Sequence, residues 1–152
     1  ENASELPEYG ADMEGEIGGF AQGTSDANMT ANATWLCYPG NWDVGGNPAI
    51  HELGHVINHL IFEETNETYW YDRITPLAYA ARENGTYPAD APLGEYWAQA
   101  VEGYIMNKGT DFKEIFPTRA YIAANHPGLY QLLTRYLPTD EWDYCPGIDE
   151  NR

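Results

Sequence analysis

The stretch Ala49-Ile50-His51-Glu52-Leu53-Gly54-His55-Val56-Ile57-Asn58-His59 constrains this chain more than any other. Two histidines four residues apart on a helix are offset by about 40° around the axis and about 6 Å along it, so both imidazoles can reach one tetrahedral zinc ion from the same face. Glu52, directly after the first histidine, sits where it can take a proton from water activated by that ion. The pattern therefore requires a helix, and a second element that brings further ligands to it. An ordinary amphipathic helix is the competing reading, since Leu53, Ile57, Leu60 and Ile61 also form an apolar stripe. Against it stand the rarity of these residue types in combination and a third ligand available downstream.

The first long helix is read over Pro48 to Glu64, with Asn47 as its N-cap and Pro48 at its first position. His59 repeats the four-residue spacing but stands about 12 Å from His51 along a straight axis. No glycine between His55 and His59 breaks the helix to bring it back, so His59 is read as structural or as supporting the ligands from behind. A helix over Leu93 to Asn107 is the second chemical element. It places Glu95, Gln99 and Glu102 on one face, and Ala98, Ala100 and Gly103 are small enough for close helix contact. Glu95 can thus meet the two histidines across a helix pair, although a glutamate in a first turn is also favoured by the helix dipole alone.

The remaining segments carry less chemistry. Residues 1 to 13 read as an extended lead-in, and the glycines around Ile17 and Phe20 as an irregular strand able to pair with a peptide, or equally as a surface loop. Thr24 to Thr34 reads as an exposed loop, Thr34 to Tyr38 as a short buried strand, and Trp42 and Asp43 as a rim to the cleft. A helix over Pro76 to Asn84 is stopped by Gly85, and a proline-rich link to Gly94 positions Tyr87. Two helical pieces, Thr118 to Asn125 and Gly128 to Leu137, are punctuated by His126-Pro127.

Composition narrows the function class. A chain of 152 residues with 43% hydrophobic residues is one domain that can bury a core. A net charge of −17 repels nucleic acid and anionic membrane, and no apolar run reaches spanning length. With no signal peptide at its head, the numbering is expected to begin at a mature or trimmed terminus. Five N-x-S/T triplets, at Asn2, Asn28, Asn32, Asn66 and Asn84, exceed the roughly one expected by chance for the acceptor pattern and point to a secreted, glycosylated chain. Cys37 and Cys145 are read as a single disulfide, with buried free thiols as the alternative. A salt-loving organism is another explanation of the acidity.

His51-Glu52-x-x-His55 followed by Glu95 resembles the gluzincins, zinc peptidases whose third ligand is a glutamate on a later helix. Within them, Glu95-Tyr96-Trp97-Ala98-Gln99 looks most like the lethal-factor-like branch and related secreted proteins, over residues 49 to 104 only. The resemblance implies an α+β, mainly helical, compact zincin-like fold with a short sheet and an active-site helix pair. It also implies Zn2+ on His51, His55 and Glu95, Glu52 as general base, and Tyr87 as the group that stabilises the oxyanion, with Tyr79 and Tyr104 in reserve. The carboxylate that usually orients a zinc histidine, four residues after the ligand glutamate, is replaced here by Gln99, whose uncharged oxygen lowers ligand basicity. An aspartate-ligand motif is begun by Gly85-Thr86, but Ala89 occupies its ligand position and Asp90 falls one residue late.

The resulting expectation is a secreted, monomeric zinc endopeptidase acting on peptide or protein, glycosylated protein included, with no nucleic-acid or membrane partner. Two alternatives stay open: a zinc-binding protein with weak or no catalysis, and a hydrolase of glycoproteins in which Trp42, Trp70 and Trp97 stack on sugars.

Overall fold

The computed structural model describes residues 19–22, 28–31, 47–65, 73–107 and 115–140. They are mainly helical. An antiparallel pair, β1 (Gly19–Gln22) and β2 (Asn28–Ala31), sets Gly19 opposite Ala31 and Gln22 opposite Asn28. Five helices follow: α1 (Pro48–Thr65), α2 (Thr75–Glu83), α3 (Glu95–Met106), α4 (Arg119–Asn125) and α5 (Pro127–Tyr136). Both strands and α3 contact α1. The strand β2 lies inside the stretch expected to be a loop. Its pairing with β1 is local, Gln22 with Asn28 and Gly19 with Ala31, but its contact with α1 is long-range, and residue-by-residue propensity reports neither. The expected strand at 34–38, Trp42, Trp70, and the cysteines Cys37 and Cys145 with their expected disulfide lie outside the described residues.

The start of α1 follows from its cap. Asn47 Oδ1 accepts from the backbone N–H of Ala49 at 3.1 Å and of Ile50 at 3.3 Å, and Pro48 takes the first position, where no amide hydrogen is needed. The end of α2 is equally local. Gly85 adopts φ 77°, its N–H donates to the Arg82 carbonyl and that of Thr86 to the Ala81 carbonyl, the paired bonds of a Schellman stop.

Helix α3 is buried nearly all round, from Tyr96 to Met106, and so forms the axis of the core. Gly103 is required there, because a Cβ would collide with the Phe116 carbonyl. Around α3 lie Ile74, Ala78, Ile122, Leu129 and Leu133, with an aromatic group in which the Tyr87 and Tyr96 rings meet edge-on at 5.0 Å and Phe116 meets His126 at 4.9 Å. Among the described residues no helix is long and apolar enough to cross a membrane.

Candidate metal centre

The site is made by the close approach of α1 and α3. Gly54 allows it: a Cβ there would stand 2.8 Å from Ala98 Cα. Trp97 Nε1 donates to the Gly54 carbonyl at 3.1 Å and fixes the same crossing. One face of α1 then meets the first turn of α3. His51 Nε2 is 2.9 Å and His55 Nε2 3.3 Å from a single oxygen, Glu95 Oε2. The three ligand atoms lie within 4.8 Å of one another, the one group among the described residues able to hold a metal ion.

The donor set and its spacing suit a divalent cation. Ligand atoms about 2.0–2.1 Å from a tetrahedral zinc are about 3.3 Å from each other. The His55–Glu95 distance matches this and the His51–Glu95 distance is slightly shorter. Two imidazole nitrogens and one carboxylate leave a fourth position for water or substrate.

Electrostatics tie the same groups together by protons. Burial pulls the His51 pKa down, but the carboxylates of Glu102 and Glu95 override it and raise it to about 10. Hydrogen bonds from His51 and His55 hold the Glu95 carboxyl far below the ordinary carboxylate range. Glu52, only 7% exposed, is shifted the other way, because burial raises its pKa more than the two histidines lower it. That makes it a stronger base than a solvated glutamate. Among the described residues nothing donates a hydrogen bond to its carboxylate, which leaves it free to take a proton.

A residue not assigned from the sequence completes the centre. Glu102, 5% exposed, accepts from the backbone N–H of Asn47 through Oε1 and places Oε2 3.3 Å from His51 Nδ1. It thereby holds the start of α1 and directs a donating Nδ1–H toward itself, which leaves Nε2 to face the ligand cluster. Gln99, expected to support a histidine of the ligand group, has its Oε1 buried without a hydrogen-bond partner. Seven residues on from Glu95 is within about 20° of the same helical stripe, so a partner two turns along serves as well as one a single turn along once the crossing allows it.

Tyr87, expected to stabilise the oxyanion, lies in the aromatic part of the core. It is 1% exposed, packed on Tyr96 and Phe116, and its hydroxyl donates to the Pro92 carbonyl at 2.7 Å. Burial, and then the Glu95 charge, push its pKa up to about 12. Its hydroxyl is thus engaged by the link before α3, close enough to Glu95 to feel that charge. Of the reserves, Tyr79 is exposed on α2 and Tyr104 is buried with Arg119 over its ring. Trp97 is in the core, where it cannot stack on a sugar. Asp90 is exposed on the link and outside the ligand group. The side chain of His59 is outside the described residues, as are Asn2, Asn32 and Asn66; Asn28 begins β2, and Asn84 is exposed at the end of α2.

In comparison with protein-family models, curated proteins and solved structures, none matches this chain. The ligand group therefore stands on its own geometry.

Proposed function

We propose that the protein is a secreted, zinc-dependent endopeptidase of gluzincin type, with a small zincin-like α+β fold. The observation that carries this reading is the meeting of His51, His55 and Glu95, with buried Glu52 next in sequence to the first ligand. A zinc ion held there supplies a Lewis acid that polarises a carbonyl and acidifies water. Glu52 accepts the proton of the attacking water at its carboxylate, whose raised pKa suits it to that task, and later returns the proton to the leaving amine. Glu102 keeps the His51 ring in the orientation that presents Nε2. The close contact at Gly54 holds both histidines within reach of Glu95.

The test is metal analysis of the purified protein together with a peptide-library digest by wild type and Glu52→Gln. The reading expects about one zinc per chain in both and hydrolysis in the wild type only. Full hydrolysis by the variant would overturn the role of Glu52.

A second reading is favoured by the ion-pair network itself. His51 lies between two carboxylates, at 2.9 Å and 3.3 Å, and a protonated imidazole satisfies both without a metal. On that reading the cluster is structural or binds zinc without catalysis, and the library digest is blank for both proteins.

A further inference from the structure

The triplet Asn84-Gly85-Thr86 lies at the end of α2, beside an open groove of about 320 Å3 lined by Gly85, Thr86, Pro88, Ile115, Pro117 and Tyr121. Two of the six lining residues are thus the triplet's own. The asparagine is exposed and its amide is held one way round. Thr86 N–H, which can only donate, is 3.0 Å from Asn84 Oδ1, and the Thr86 hydroxyl is 2.6 Å from the same oxygen. Oδ1 is therefore the inward atom, and Nδ2 is left without a partner, on the solvent side of the turn. The backbone beneath is held by the Gly85 and Thr86 bonds to Arg82 and Ala81. The acceptor nitrogen is displayed on a rigid corner, not on a mobile loop.

We propose that Asn84 carries an N-linked glycan whose first sugars lie in this groove, against the ring of Tyr121 and the faces of Pro88 and Pro117. The modification uses a lipid-linked sugar phosphate. Nδ2 forms a bond to the anomeric carbon, the bond from that carbon to the phosphate oxygen breaks with its electron pair leaving on phosphate, and one Nδ2 proton is lost to base. The groove suits the product. Aromatic and proline faces receive the C–H face of a pyranose, as tryptophan and tyrosine do elsewhere. Thr86 and the exposed rim leave the sugar hydroxyls in water. Seated there, the glycan joins the stop of α2 to the 115–121 segment that leads into α4.

The test uses the full chain made in a glycosylating secretory host and the same chain made in the bacterial cytoplasm, where Asn84 stays unmodified. Glycopeptide mass spectrometry should find the sugar on Asn84, and amide hydrogen exchange over residues 115–121 should be slower in the glycosylated form by about tenfold. Tyr121→Ala should keep the glycan and abolish the difference in exchange. An unmodified Asn84 overturns the proposal, whether or not other triplets are occupied. A modified Asn84 with equal exchange in the two forms overturns the groove. Neither result touches zinc binding or hydrolysis, which are read from His51, His55, Glu95 and Glu52, so this inference and the peptidase reading fail separately.

Discussion

Gly54→Ala adds one methyl group at the point where α1 and α3 come closest. A Cβ at Gly54 would lie 2.8 Å from Ala98 Cα, 3.2 Å from the Ala98 carbonyl oxygen and 3.2 Å from Val101 Cβ. Two of these three atoms are backbone, so no rotamer change relieves the contact. Bringing the shortest one to the 3.4 Å of ordinary van der Waals contact moves the helices apart by 0.6 Å (3.4 − 2.8). Overpacking of this kind costs about 1–3 kcal/mol, and replacing a mid-helix glycine by alanine returns about 1 kcal/mol. The net loss of stability is then about 0–2 kcal/mol, and the fold survives.

The ligand group is far less tolerant. Metal–ligand distances hold within about 0.2 Å, and a 0.6 Å separation of the two helices that carry His51, His55 and Glu95 exceeds that threefold. Zinc affinity, measured by competition with a chromophoric chelator, should fall at least about tenfold, while urea unfolding of the metal-free protein changes little. Gly94→Ala is the control, because a Cβ there meets nothing within 4 Å. A Gly54→Ala protein that binds zinc as tightly as wild type would refute the claim that this crossing sets the site.

Glu102→Gln should lower zinc affinity about 10- to 100-fold by removing the charge behind His51, with far-UV circular dichroism unchanged; unchanged affinity would return the orienting role to another group. Tyr87→Phe loses the bond to the Pro92 carbonyl and about 0.5–1.5 kcal/mol in thermal or urea unfolding. Its kcat should stay within a few fold of wild type, and a loss of two orders of magnitude would restore Tyr87 to the chemistry. His126 is 5% exposed, its Nδ1 is 3.1 Å from the Tyr96 hydroxyl, and its Nε2 is buried without a partner, so burial lowers its pKa below 6.5. The unfolded chain therefore binds a proton more readily than the folded one, and this contribution, full above about pH 6.5, is lost as pH falls from there toward the folded value. Urea midpoints taken from pH 8 to pH 5 should decline less steeply for His126→Phe than for wild type, and parallel slopes would exclude His126 as the cause.

What could be read from the sequence divides along the line between local and crossing geometry. Asn47, Pro48, His51 and His55 act within one helix, where rise and turn per residue are constants, and the structure places all four as their spacing requires. Gly85 is likewise local, since a left-handed stop needs only its own backbone. Glu95 depends on one neighbouring helix, and the small residues Gly54 and Ala98 bring it to the histidines by letting the axes approach. Gln99 and Glu102 depend on tertiary geometry instead. Both lie on the stripe that begins at Glu95, and helical periodicity cannot say which reaches His51 Nδ1, because that depends on the angle at which α3 passes α1. The surroundings of Tyr87 are likewise tertiary: its place before Glu95 is legible, but the packing of its ring on Tyr96 and Phe116 and the bond of its hydroxyl to the Pro92 carbonyl are not. The Glu102 carboxylate, which both caps the amide of Asn47 and holds a ring of the ligand group, links the first turn of α1 to the candidate metal site, so a change that loosens the start of that helix should also be felt as weaker zinc binding.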